Sequence, residues 1–453
     1  MMKQAMETRL DAEAGETIFA LASGRGRAGI AVIRISGTKT KETLVALTGR
    51  VPPVRMATLL RLHDPVDGQA LDEALVLFFE APRSFTGEDM AEFHVHGGPA
   101  VITGVIDALA KLSGMRLATA GEFSRRAFGY GKLDLTAVEG MADLIDAETR
   151  AQRVQALRQS AGALGDLYES WRSDLITALA LVEAALDFSD EADVPVLIER
   201  EAVPVAERLE VDISKHLQDG GRGERLREGF CVVLAGPPNA GKSSLLNALA
   251  ARDVAIVSEE AGTTRDVLEV HLDLDGWPLT LLDTAGLREA EGAIEAEGVR
   301  RALERARMAD LILWLVDAGD PQWPPHRELD AAAAPVLTIL NKCDLARPGG
   351  PDNILEISAK TGEGLDGLMT HLTGQVTAVF EISEAPVITR ARHRQELQGA
   401  QSSLERFLNG STHTLELRAE DLRSGAQALG RITGRVDVED ILDRIFSDFC
   451  IGK

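Results

Sequence analysis

One eight-residue stretch near the middle of the chain constrains its fold more than any other feature. Gly236-Pro237-Pro238-Asn239-Ala240-Gly241-Lys242-Ser243 fits G-x-x-x-x-G-K-[ST]. It follows an apolar run, Phe230 to Leu234, and precedes another, Leu245 to Leu249. The order is strand, Gly-rich turn, helix. In such a turn the glycines let the backbone wrap phosphates, and the helix N-terminus favours negative charge. Lys242 reaches the β/γ-phosphates and Ser243 ligates Mg²⁺. So short a pattern also arises by chance, and its surroundings must decide.

The surroundings agree. Leu279 to Leu282, Leu311 to Val316 and Val336 to Leu340 are short apolar runs of buried-parallel-strand type. Asp283-Thr284-Ala285-Gly286 follows the first and offers a water-mediated Mg²⁺ contact and a γ-phosphate amide. Asn341-Lys342-Cys343-Asp344 follows the third. The Asp344 carboxylate accepts from both N1–H and the 2-amino group of guanine, donors that adenine lacks. Ser358-Ala359-Lys360 sits where a loop backs the guanine ring. The predicted ligand is GTP with Mg²⁺. Gly262-Thr263-Thr264-Arg265-Asp266 is the candidate switch segment, with the Thr264 hydroxyl completing the Mg²⁺ shell. Leu287 stands where Ras-like enzymes place the Gln that orients the attacking water, so another group must do this; nearby acids are Glu289, Glu291 and Glu295.

The predicted fold class is multidomain α/β and α+β. A small α+β domain occupies residues 1–131, with strands at Ile30 to Ile35 (read as buried), Ala74 to Phe79 and Ala91 to Val95, and a helix from Pro99 to Leu112. A helical domain is built from two segments, 132–227 and 380–453. The P-loop GTPase domain, 228–379, is inserted between them. Val438, Ile441, Leu442, Ile445, Phe446 and Phe449 mark an amphipathic helix near the chain end.

Charge and cysteine usage remove other classes. Lys plus Arg is 48 against 71 for Asp plus Glu, a net charge of −23, which argues against nucleic-acid binding through a broad basic surface. Cys231, Cys343 and Cys450 are too few and scattered for a disulfide scaffold or zinc site. No apolar run approaches the ~20 residues needed to span a bilayer, and no secretory leader is evident. The expected location is cytoplasmic. His94 and His96, two apart on one strand face, have no evident carboxylate or Cys partner and read as structural histidines.

Further motifs identify a family. They are Arg34-Ile35-Ser36-Gly37, Ser84-Phe85-Thr86-Gly87-Glu88-Asp89, His96-Gly97-Gly98, Gly121-Glu122-Phe123, Arg126-Ala127-Phe128, Gly131-Lys132-Leu133-Asp134-Leu135 and the terminal Phe449-Cys450-Ile451-Gly452-Lys453. With the GTPase motifs, they make the sequence resemble the MnmE (TrmE) family of tRNA-modification GTPases over nearly its whole length. One stretch departs: Gly24-Arg25-Gly26-Arg27-Ala28-Gly29 stands where the family usually has two prolines and then Gly-Arg-Gly-Gly.

The resemblance implies a homodimer formed by the amino-terminal domain, a flavoprotein partner, MnmG (GidA), that carries FAD, and a tRNA substrate. It implies addition of an aminomethyl or carboxymethylaminomethyl group to C5 of the wobble uridine, the one-carbon unit coming from a tetrahydrofolate. The family's folate positions fall on Arg34, Glu92, Lys132 and Lys453. Cations pair with a glutamate tail, and a carboxylate reads a pterin edge. Cys450 would lie beside the donor, with Lys453 lowering its thiol pKa. The resemblance also implies that K⁺ replaces an arginine finger, held by Asn239, Ser258, Glu260 and Thr263, with activation by GTPase-domain pairing. It extends the GTP-contacting set to Ala240, Gly241, Ser244, Glu259, Ala261 and Gly262, and puts Glu295 at the water-orienting position. The alternative is a GTPase switch that binds RNA or ribosomes without modifying them. Such proteins usually append a basic module such as a KH domain. After Gly374 there is no G-x-x-G, and the only basic cluster is Arg390, Arg392, His393 and Arg394.

Overall fold

The computed structural model describes residues 16–24, 26–187, 198–252, 254–256, 269–283, 309–321, 334–347, 354–380, 386–410, 414–436, 442, 445–447, 449 and 452. The chain splits into two compact units, residues 1–142 with 430–453, and residues 143–429.

The first unit carries β1 (Thr17–Leu21), β2 (Ala28–Ser36), β3 (Thr58–His63), β4 (Ala70–Phe79), β5 (Met90–Gly97) and β6 (Met115–Leu117), in the order β3-β4-β5-β2-β1-β6. Neighbours are antiparallel except β1 and β6. Helices α1 (Thr40–Thr48) and α2 (Pro99–Ala110) bury Leu44, Leu47, Val105 and Leu109 against Ile33, Ile35, Val76 and Phe93. Pro99 opens α2 at a position where its missing N–H costs nothing.

The expectation of a buried strand at Ile30 to Ile35 needs correction. From Ala31 onward burial alternates, and Ile30 is 62% exposed. An antiparallel sheet with its core on one face keeps only every second side chain there. Ile33 and Ile35 therefore point to the core, while Arg34 points to the other face.

Two more helices, α3 (Glu122–Gly129) and α4 (Leu135–Asp146), follow the sheet. Phe128, Leu135 and Val138 form a satellite core with Leu442, Phe446 and Phe449. The end of the chain thus packs on the amino-terminal unit. Of the amphipathic helix expected over 438–449, Ile445 to Ser447 are helical and most of the rest lies outside the described residues.

The second unit holds β7 (Phe230–Ala235), β8 (Ala255–Ile256), β9 (Glu269–Leu274), β10 (Trp277–Asp283), β11 (Leu311–Asp317), β12 (Val336–Asn341) and β13 (Leu355–Glu356). Their order is β13-β12-β11-β7-β10-β9-β8. The strands from β13 to β10 run parallel; β9 and β8 extend the sheet antiparallel. Each of the four apolar runs read as strands lies inside one of the parallel strands. Val232, Leu234, Leu281, Leu313 and Ile339 are fully buried, because helices cover parallel sheets on both faces. With the amino-terminal α+β unit and the helices below, the fold is the multidomain α/β and α+β arrangement expected.

The remaining helices are α5 (Arg150–Ser160), α6 (Ala163–Asp187), α7 (Val203–Leu217), α8 (Arg222–Glu228), α9 (Lys242–Ala250), α10 (Leu365–Val379), α11 (Ala391–Asn409) and α12 (Leu415–Thr433). Thr149 starts α5 with a capping box, its hydroxyl accepting from Gln152 N. The basic cluster after Gly374 is internal. Arg390 pairs with Asp143 at 2.6 Å, Arg394 pairs with Asp219 and Glu224 at 2.8 and 2.9 Å, and His393 is fully buried. These groups clamp α11 to its neighbours rather than forming a surface for RNA. Among the described residues no helix is long and apolar enough to cross a membrane.

Candidate functional site

The phosphate loop runs from the end of β7 to the first residue of α9, as the sequence requires. Asn239 sits at the loop tip with φ 62° and is exposed; Ser243 and Ser244 are exposed at the start of α9. The Lys242 ammonium folds back over the loop and donates to the carbonyl oxygens of Gly236 and Pro237, both at 2.9 Å. Its charge is thereby held where the loop's N–H groups converge.

Asn341 locks this loop to the turn that carries Ala359. It is 1% exposed; its Nδ2 donates to Ala240 O at 2.8 Å and its Oδ1 accepts from Ala359 N at 3.0 Å. One buried amide thus ties the phosphate loop to the Ser-Ala-Lys loop. The approach is close enough to demand Gly241, where a Cβ would lie 2.2 Å from Asn341 Nδ2. Asp344 is exposed, and its Oδ1 accepts from the buried Ser358 hydroxyl at 2.7 Å. That bond orients a charged acceptor that solvent, or a purine edge, can reach. Lys342 pairs with Asp317 at 2.6 Å, and this hydrogen bond holds the Asp317 carboxyl below its usual range. Lys360 is exposed beside them.

Sequence reasoning missed Asp317 and the orienting role of Ser358. The signal for Asp317 was available: an acid ends the strand preceding Asn341, and the two are register partners on β11 and β12. Asp283 ends β10 in register with Leu234 of β7, at the phosphate-loop end of the sheet. Ser258, Glu259, Glu260, Ala261, Gly262, Thr263, Thr264, Thr284, Ala285, Gly286, Leu287, Glu289, Glu291 and Glu295 lie outside the described residues.

In the amino-terminal unit, register brings Arg34 of β2 opposite Glu92 of β5. Arg34 Nε and Nη2 both donate to Glu92 Oε1, at 3.1 and 2.9 Å. The guanidinium also lies over the rings of Phe85 and Phe123, 5.6 and 5.7 Å from their centroids. Underneath, Arg126 is buried between Glu88, at 2.9 Å, and Glu122, at 3.1 Å. Ser36 donates to Glu88 at 2.7 Å and Arg116 to Glu122 at 2.7 Å. Burial pushes the Glu122 carboxyl up, but Arg116, the Thr119 N–H and Arg126 outweigh it and hold it at about 2. Ser36, Glu88, Glu122 and Arg126, each from a quoted family motif, are therefore members of one ion network.

Of the other residues expected at a folate site, Lys132 is exposed and, among the described residues, makes no hydrogen bond or ion pair with Arg34 or Glu92. Cys450 and Lys453 lie outside the described residues, but Gly452 between them is described. Its φ is 101°, and a Cβ there would lie 2.2 Å from Leu21 O. Leu21 pairs with Ile33, next to Arg34, so the chain end reaches the strand beside the Arg34–Glu92 pair. One premise of the histidine reading, the lack of a carboxylate partner, needs correction. Each has a carboxylate neighbour, His94 with Glu92 at 3.5 Å and His96 with Asp72 at 2.8 Å. Glu92 lies two residues before His94 on β5, and Asp72 comes from β4, a pairing that only the folded sheet reveals. Among the described residues no group of three or more His, Cys, Asp or Glu could hold a metal ion.

A parallel sheet that carries the phosphate loop after β7 and the Asn-Lys-Cys-Asp turn after β12, joined through one buried Asn, is P-loop GTPase-like. Family models add what the sheet alone does not: residues 17–132 match the GTP-binding protein TrmE N-terminus and residues 135–450 the MnmE helical domain. The chain belongs to the tRNA modification GTPase MnmE family. It is 57% identical over 441 residues to the tRNA modification GTPase MnmE of Parvibaculum lavamentivorans, spanning 97% of this chain and 100% of that protein. The MnmE of Beijerinckia indica is 52% identical over 438 residues, 97% of this chain and 96% of that protein. The G domain of the T. maritima FeoB iron transporter is 25% identical, covering 33% of this chain and 97% of that domain, with a TM-score of 0.25.

Proposed function

We propose that the chain is the GTP-hydrolysing subunit of a cytoplasmic tRNA-modifying complex. The complex adds an aminomethyl or carboxymethylaminomethyl group to C5 of the wobble uridine, with an MnmG-type flavoprotein as partner and tRNA as substrate. The division into residues 1–131, 132–227, 228–379 and 380–453 belongs to this proposal, as does a homodimer formed by the first of these.

For the GTPase half, Lys242 stabilises charge that builds on the β/γ-phosphate oxygens. Ser243, Thr264 and, through water, Asp283 hold Mg²⁺. Asp344, oriented by Ser358, selects guanine. Asn239, Ser258, Glu260 and Thr263 hold K⁺, which adds the positive charge that other GTPases take from an arginine finger. Glu295 orients the attacking water, the task that Leu287 cannot perform.

For the one-carbon half, Arg34 pairs a folate carboxylate, Glu92 reads the pterin edge, and Phe85 and Phe123 offer flat apolar surface. Lys132 and Lys453 add positive charge. A bound tetrahydrofolate supplies the one-carbon unit, and Cys450 holds or moves a proton beside it. The single observation that supports this half is the seat of Gly452 against Leu21, one register step from the Arg34–Glu92 pair. The test is mass spectrometry of wobble nucleosides from a strain lacking the gene and complemented with Cys450→Ser. Absent modification, with K⁺-stimulated GTP hydrolysis retained, is expected. Normal modification would remove Cys450 from the chemistry.

A further inference from the structure

Away from both sites, the second unit contains a cavity of about 430 Å³, within the usual range for small-molecule sites. Its walls come from α5, α8, the turn between β9 and β10, Phe380 after α10, and the segment 386–389 that leads to α11. These walls are fixed to one another. Gly276 O in the turn accepts from Ala151 N of α5 at 2.9 Å, and His271 of β9 meets Glu148 at 2.6 Å. Gln152 Nε2 donates to Arg227 O of α8 at 3.0 Å.

The lining has three components. Trp277 stacks on Phe380, centroids 5.5 Å apart and planes 16° from parallel, giving a flat aromatic wall. Arg150, Arg158 and Arg222 all line the cavity. Among the described residues, none of the three forms an ion pair. Arg222 donates its Nε to the backbone oxygen of Asp219, at 3.0 Å, and among the described lining residues Asp275 is the only acid. Thr389 also lines the cavity; it is 1% exposed and its hydroxyl has no hydrogen-bond partner. Gln155 Oε1 is likewise buried without one. A buried polar atom left unpaired costs ~1–3 kcal/mol. Arg150 and Arg158 are exposed and Arg222 is half-buried, so the guanidiniums at the cavity can reach an anion that enters beside the aromatic wall.

We propose that this cavity binds a small organic anion with a flat apolar body, such as an aromatic carboxylate. Its ring lies along Trp277, its charge meets the arginines, and a further oxygen or N–H satisfies Thr389. None of these residues belongs to the nucleotide or one-carbon machinery.

Isothermal titration of the full chain with 2-naphthoate tests this, with uncharged 2-naphthamide as the control. Saturable binding at one site per chain is expected, unaffected by saturating GDP. Arg158→Gln combined with Arg222→Gln should weaken naphthoate by about tenfold or more and leave naphthamide unchanged, a charge-assisted hydrogen bond being worth ~1.5–3 kcal/mol. Trp277→Leu should weaken both. Unchanged GDP affinity in each variant certifies the fold, and Arg208→Gln, at a distant exposed pair, should change nothing. Absence of saturable naphthoate binding overturns the proposal. So does binding that ignores the arginine substitutions, which marks adventitious hydrophobic contact only.

Discussion

The two sheets build their sites in opposite ways. In the nucleotide sheet each functional turn leaves the end of a parallel strand, so the chain delivers the phosphate loop, Asp283 and the Asn341 turn to the same edge in sequence order. Each turn carries its own short motif, and a single side chain, Asn341, joins two of them across 101 residues. In the amino-terminal sheet antiparallel register does the assembly. Arg34 meets Glu92 across a separation of 58 residues, and Gly452 reaches β1 from the far end of the chain. The first design concentrates function in short loops; the second distributes it, so that one residue's placement depends on a whole sheet.

The largest expected effect tests the concentrated design. Asp344→Asn should weaken GDP binding by about a thousandfold or more, because a site built to read the N1–H and 2-amino group discriminates strongly once its acceptor is lost. Fluorescent-nucleotide titration measures this. Reduced-folate binding should be untouched, and a parallel loss there would break the contrast between the sheets. The next effect is kinetic. Glu295→Ala should lower kcat by roughly a hundredfold while GTP affinity holds, a typical general-base contribution. If Glu291→Ala does more damage, the water-orienting role belongs there.

The distributed design is tested by one backbone position. Gly452→Ala puts a methyl 2.2 Å from Leu21 O at a φ of 101°. Strain of this kind costs ~1–3 kcal/mol, which the chain end can escape only by lifting off β1. Wobble-uridine modification, read by nucleoside mass spectrometry, should fall several-fold, while GTP hydrolysis stays normal. Retained modification would mean that the seat of Gly452 is incidental.

The same contrast explains what the sequence made legible. The parallel strands read as apolar runs because Val232, Leu281 and Leu313 are buried between layers, and the turns after them carry diagnostic residues. β9, with its alternating Glu269-Val270-His271-Leu272, gave no such run and escaped notice. In the amino-terminal sheet the residues quoted for the resemblance were right, but their work was invisible. Nothing local to Ser36, Glu88, Glu122 or Arg126 says that they form one buried network. The acid beside His96, Asp72, was hidden for the same reason, whereas Glu92 stood two residues before His94 and could have been noticed. Arg390 to Arg394 read simply as a basic cluster, because sequence records charge without its partners.

The smallest effect separates the units by pH. His216 on α7 touches Tyr168, whose hydroxyl lies 3.1 Å from its Nε2, and Trp171; Asp219, Arg394 and His393 surround it. Burial is the largest influence, and with Arg394 and His393 it lowers the imidazole from 6.5 to about 4 against the pull of Asp219. The unfolded chain therefore takes up this proton before the folded one does. The stability that the neutral ring confers is complete above pH 6.5 and drains away as pH falls toward 4. Glu122 behaves alike but lower: its folded value of about 2 lies below the ordinary 4.5, so its contribution is lost only between those two values. On acidification the unit containing His216 should weaken first, by about 2 kcal/mol after allowance for solvent screening. Denaturant midpoints from pH 7 to 2 measure it, followed by tryptophan fluorescence for this unit, which holds all four tryptophans, and by far-UV circular dichroism for the other. His216→Gln keeps an acceptor for the Tyr168 hydroxyl without a titrating ring. It should flatten the limb between pH 6.5 and 4 and leave the Glu122 limb in place. An unchanged slope in that variant would assign the acid sensitivity of the helical unit to other groups.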